Sequence, residues 1–193
     1  MDQDLKTGDI ILFNGEEKGI FSVLSWFVKF FTHSNYSHIG IILKDPNFSQ
    51  DLEKGLYVWE SGYEEGGKLG VQTIPLEEVI KRYENSKITI RKIKSNSCFT
   101  DEKLKEVYDK SFDKPYDIDM FDWISALFRL DFSPKKTDRF WCSAFVGYIY
   151  TQVGILTPET DWSILRPCDF SLAGENLEYS GENKLDLSEI RIN

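Results

Sequence analysis

Five short apolar runs, rich in β-branched residues and bounded by turn chemistry, precede the main helix-type patterns of this chain. IILF (Ile10 to Phe13) follows the turn Thr7-Gly8-Asp9 and is closed by Asn14-Gly15. SHIGIIL (Ser37 to Leu43) reads as a central strand, ended by Asp45-Pro46-Asn47. LYVWE (Leu56 to Glu60) reads as the next strand, and SGYEEGGKLG after it reads as a glycine-rich loop. GVQTI (Gly70 to Ile74) is hairpinned to LYVWE, and ITIRKI (Ile88 to Ile93) alternates like a half-exposed strand. Strands first and helices later predict an α+β fold rather than a doubly wound sheet.

The helical patterns are equally readable. Ile20 to Phe31 is apolar at helical spacing but has apolar residues all round, which predicts a buried helix or a lid over an apolar groove. Pro75 suits the first turn of a short helix in LEEVIKRY. TDEKLKEVYDKSF has Thr100 as N-cap, acids in its first turn, and Leu104, Val107, Tyr108 and Phe112 on one face. DIDMFDWISALF predicts a second late helix and CSAFVGYIYTQVG a third, stopped by Gly154. A late strand is expected in SEIRI. No internal repeat or low-complexity linker divides the chain, so residues 1–193 read as one domain.

Composition excludes several function classes. The net charge of −9, without a basic patch, argues against nucleic acid and against nonspecific attraction to anionic headgroups. The sequence MDQDLKTGDIILF lacks the basic-then-apolar layout of a signal peptide, and Ile20 to Phe31 is too short to span a bilayer. Three cysteines without a CxxC pair predict a reducing, cytoplasmic setting. That setting is the virion or host cytoplasm if the chain is viral. Contact with a membrane surface through an apolar mouth is compatible with this composition. His33 and His38, five apart, suit neither one helix face nor one strand face, so no metal site is expected, and no cofactor-binding loop is present.

The reactive side chains then form a short list. Cys142 opens the apolar helix in RFWCSAFVGYIY. At a helix start the free backbone N–H groups and the helix dipole favour thiolate over thiol and supply donors for an oxyanion. Its plainer reading is a small buried apolar residue. Cys98 lies outside the Thr100 cap and Cys168 follows a proline in a loop, so neither gains as much from a dipole. A thiol nucleophile needs a base, and only His33 and His38 are available. His38 opens a central strand, although a strand histidine is also an ordinary structural feature. Glu60 ends the neighbouring strand and is placed to orient His38, or else begins the loop as a solvated acid.

In order along the chain, TGDIILF, YSHIGIIL, LYVWESG, GVQTIPLEEVI, KPYD and FWCSAFVGYIY resemble the permuted papain-like hydrolases of the NlpC superfamily. The likeness is greatest to the YiiX-like group and its poxvirus relatives, with the lecithin:retinol acyltransferase group more distant. The resemblance covers about residues 7–170 and leaves 171–193 as a C-terminal extension. It implies a small antiparallel sheet packed against the nucleophile helix, with Cys142, His38 and Glu60 as catalytic residues. Tyr36, Tyr116 and Ser143 are the further candidates for oxyanion or substrate contact. Ala144 stands where the motif CSE carries an acid. The implied reaction is acyl transfer through a thioester, to water or to another acceptor. The apolar, aromatic early segment favours a lipid or acylated small-molecule substrate. A peptidase or amidase, or a catalytically silent binding module, are the rival readings.

Overall fold

The computed structural model describes residues 4–14, 36–63, 69–117, 137–174 and 177–192. The expected helices at Ile20 to Phe31 and in DIDMFDWISALF, and the second histidine, His33, lie outside the described residues, save Asp117.

Six antiparallel strands form one sheet. They are β1 (Ile10–Asn14), β2 (His38–Lys44), β3 (Leu56–Tyr63), β4 (Leu69–Pro75), β5 (Lys87–Ile93) and β6 (Leu185–Arg191), in the spatial order β4-β3-β2-β1-β5-β6. Helix α1 (Leu76–Arg82) follows β4, α2 (Asp101–Ser111) follows β5, and α3 (Cys142–Val153) precedes the C-terminal turns and β6. The α+β architecture read from the sequence is therefore the observed one. Among the described residues no helix is long and apolar enough to cross a membrane.

Period-two alternation in the strands separates two cores. Ile10, Leu12, Ile39, Ile41, Leu43 and Trp59 pack with Phe145, Ile149 and Val153 of α3. Ile11, Phe13, Ile42, Val58 and Ile74 pack with Leu76 and Val79 of α1. Three sequence expectations need correction here. β3 runs past Glu60 to Tyr63 and β4 begins at Leu69, so much of the expected glycine-rich loop is ladder, with Gly62 paired to Gly70. β5 is not half-exposed: Thr89 and Arg91 are buried along with Ile88 and Ile90. The Arg91 guanidinium is satisfied by main-chain carbonyls, its Nη1 donating to Phe170 O (3.0 Å) and Ser171 O (2.7 Å) and its Nε to Asp186 O (2.9 Å). A polar residue in an alternating pattern thus faces protein backbone instead of water. Pro75 ends β4 and caps α1 rather than lying in its first turn, a one-residue difference at a boundary.

The Gly8-Asp9 turn locks the sheet to α3. Gly8 has φ +100, and its missing Cβ makes room for the Phe99 ring. The Gly8 carbonyl accepts a 2.6 Å hydrogen bond from the buried Tyr150 hydroxyl of α3. Asp9 is wholly buried and accepts from Ile93 N (2.9 Å) and Lys6 N (3.1 Å), closing the start of β1 on the end of β5. Burial pushes its carboxyl above the ordinary aspartate value, against the opposing pull of those two backbone donors.

Candidate active site

Cys142 is the first residue of α3. The residue before it, Trp141, is extended and caps the helix without any side-chain hydrogen bond. Trp141 thus leaves the first-turn N–H groups beside the thiol uncapped by its own side chain. Three contacts hold this helix start. Ser143 Oγ donates to Leu165 O (2.7 Å), Ser61 Oγ of β3 donates to Phe140 O (2.6 Å), and Gly147 lets Trp162 and Leu165 close directly onto the helix. Gly154 ends the helix in the left-handed conformation (φ 85), as the sequence predicts.

His38 is the first residue of β2 and is 4% exposed. Its Nε2 lies 2.9 Å from Glu60 Oε2, and Cys142 is close enough to the ring to favour its protonated form. With Nε2 engaged by the carboxylate, Nδ1 is the nitrogen left to serve the sulfur. The two groups come from different layers. His38 shares the strand parity of Ile42, in the α1-side core, whereas Cys142 belongs to the α3-side core. They meet at the end of the sheet, where β2 begins.

Burial alone would pull the proton off His38. The Glu60 charge and the nearby Cys142 outweigh it, and hold the imidazole well above the ordinary histidine value. Phe13 (ring centroids 5.4 Å apart) and the nearly parallel Tyr83 ring (6.2 Å, 8°) flank the imidazole.

Glu60 is 1% exposed, so it is no solvated acid. Its second oxygen, Oε1, accepts from Gln72 Nε2 of β4 at 3.1 Å. Gly62, two residues further along β3, keeps the space beside this pair open. A Cβ there would lie 3.1 Å from Glu60 Oε1 and 3.2 Å from His38 Cε1. Gln72 and Gly62 were not singled out from the sequence. The only signal was a glutamine in the otherwise apolar strand GVQTI, and its partner depends on a hairpin register that no local pattern fixes.

The remaining candidates have other surroundings. The Tyr36 hydroxyl donates to Glu189 Oε2 (2.8 Å) on β6, at the far edge of the sheet from β4. Tyr116 is half-buried against the α3-side core and bridges to Phe140, two residues before Cys142. The Ser143 hydroxyl is committed to Leu165 O. Ala144 is buried, so an acid in its place would meet the apolar core. Cys98 Sγ accepts from Asn183 Nδ2 (3.1 Å), and Cys168 lies in a short turn, Pro167–Phe170.

The family model described as permuted papain-like amidase enzyme, YaeF/YiiX, C92 family, matches residues 4–179. No curated protein sequence matches the chain. Among solved structures, the chain is similar to the crystal structure of metalloprotein YiiX from Escherichia coli O157:H7, at 26% identity and a TM-score of 0.52 over 77% of this chain. It spans 66% of the length of that YiiX chain. A match running from before β1 to beyond α3 makes this chain a member of the permuted papain-like amidase family.

Proposed function

We propose that the chain is a thiol-dependent amidase in which Cys142 is the nucleophile, His38 the general base and acid, and Glu60 the group that orients His38. The observation that carries this reading is the position of one buried imidazole between a carboxylate and a thiol. With its proton already held by His38, the sulfur attacks the carbonyl carbon of the amide. The carbonyl electron pair moves onto oxygen, which the first-turn N–H groups of α3 receive. The tetrahedral species collapses, the C–N bond breaks, and the leaving amine takes the proton from His38. Water then adds to the thioester, with His38 taking a proton from it and returning it to sulfur as the acid departs.

The family description favours an amide bond over a lipid ester. The apolar segment that favoured lipid in the sequence reading, Ile20 to Phe31, lies outside the described residues. Transfer of the acyl group to an amine or hydroxyl uses the same thioester and differs only in what reaches it. The related YiiX is described as a metalloprotein. Here no group of three or more His, Cys, Asp or Glu side chains among the described residues is arranged to hold a metal ion, and both Glu60 oxygens are already hydrogen-bonded. These residues do not fit a metal.

The test is a panel of acyl amides, short peptides and acyl esters, read by product release and by intact mass. The expected result is a Cys142 acyl adduct with amide donors, absent in Cys142→Ala and formed far more slowly in His38→Ala. Turnover that survives Cys142→Ala would falsify the assignment. Turnover of esters only would return the substrate to the lipid class.

A further inference from the structure

The candidate triad has a fourth member. We infer that Gln72 is a positioning residue that holds Glu60 as a carboxylate aimed at His38. This rests on the reading of His38 and Glu60 as base and orienter.

Gln72 lies on β4 directly across the ladder from Glu60 and is 7% exposed. Its Nε2 donates to Glu60 Oε1 at 3.1 Å, while its own Oε1 is buried without a hydrogen-bond partner among the described residues. The unpartnered oxygen fixes the meaning of the contact. An amide turned the other way would set its oxygen against a carboxylate oxygen at the same distance, which is repulsive unless Glu60 is protonated. The observed orientation turns a donor, not an acceptor, towards Glu60. It also settles which oxygen does what: Oε1 is tethered to β4, leaving Oε2 for His38 Nε2. Gly62 leaves no side chain to compete for this space. Leaving one buried amide oxygen without a partner is a cost to folding. Its return is a carboxylate fixed in direction.

Among the described residues, the titratable groups against His38 are Glu60 from β3, Cys142 from α3 and Tyr83 just beyond α1; Phe13 of β1 is apolar. Without the Gln72 tether the Glu60 carboxylate is free to turn away from His38, which weakens its hold on the imidazole proton. Removing the donor should lower the pH at which His38 loses its proton.

The chain has two histidines, so ring NMR titration of the full-length protein reads His38 directly once His33→Gln assigns the second signal. Gln72→Met removes the donor at nearly constant volume, and we expect the His38 midpoint to fall by roughly one pH unit. In Gln72→Ala, water entering the gap replaces part of the donor, and the midpoint should lie between those of Gln72→Met and the parent. Circular dichroism checks that each variant is folded. A folded Gln72→Met that titrates like the parent overturns the inference. Unfolding of both variants also overturns it, by making Gln72 a packing residue. Cys142→Ala in the same series separates the two readings. A midpoint unmoved by Cys142→Ala but moved by Gln72→Met sinks the thiol–imidazole pairing and leaves the Gln72 role standing.

Discussion

Glu60 Oε2 lies 2.9 Å from His38 Nε2, and both side chains are almost wholly shut off from water. A buried imidazole without an anion would stay neutral, because burial is the largest single influence on its proton and acts against the charged form. Glu60→Ala should therefore drop the His38 titration below its raised value and cut kcat/KM on an acyl amide by roughly 10⁴-fold, as replacing the orienting acid of a triad does. Glu60→Gln keeps an acceptor but not the charge, and should fall between Glu60→Ala and the parent. Equal activity for parent and Glu60→Ala would remove the orienting role.

The same shift makes stability depend on pH. The folded-state pKa of His38 is raised above the unfolded value of about 6.5. The folded state thus keeps a proton that the unfolded chain has released. This contribution is fully present below about pH 6.5 and is lost as pH rises through the folded value, at up to about 1.4 kcal/mol per pH unit. Urea midpoints measured from pH 6 to 10 should fall faster for the parent than for His38→Gln. Parallel curves would mean that His38 is not protonated in the folded chain over that window.

Gly62 offers a test of geometry without touching a titrating group. Its backbone is ordinary strand, so Gly62→Ala adds no conformational strain, only a methyl within 3.1 Å of Glu60 Oε1 and 3.2 Å of His38 Cε1. The pair must shift by a few tenths of an ångström. We expect about a tenfold loss in kcat/KM, since small misplacements of reacting groups are costly. The thermal midpoint should stay close to the parent's. A loss of stability without loss of rate would place Gly62 in packing alone.

Much of this arrangement is written locally. The start of α3 at Cys142 follows from the apolar run and its Gly154 stop, and β2 and β3 follow from β-branched runs with turn residues at their ends. What joins distant parts was not legible. Glu60 meets Gln72 only because β3 and β4 pair in one register across a glycine-rich connection. Arg91 resembled a solvent-facing residue until the 170–171 turn and β6 supplied carbonyls for it. Tyr36 reaches Glu189 because β6 completes the sheet beside β5, and no pattern near Tyr36 announces that strand. Strand parity puts His38 on the face opposite α3, so its contact with Cys142 depends on how the helix start reaches the sheet's end, which is a matter of tertiary packing.

Ser143 separates a chemical from a structural role at the nucleophile's own helix turn. Its position next to Cys142 made it a candidate for the reacting carbonyl. Yet its hydroxyl is 2.7 Å from Leu165 O and its side chain is buried, so the donor is already committed. Ser143→Ala should leave the Leu165 carbonyl short of a partner and cost about 1–2 kcal/mol in urea unfolding. The Cys142 thiol and the first-turn N–H groups stay where they are, because Gly147 packing and the Ser61 bond to Phe140 still fix the helix start. Rate on an acyl amide should therefore fall no more than a few-fold when measured well below the new melting temperature. A hundredfold loss in kcat with an unchanged urea midpoint would instead mean that the hydroxyl leaves Leu165 during turnover and donates to the developing oxyanion.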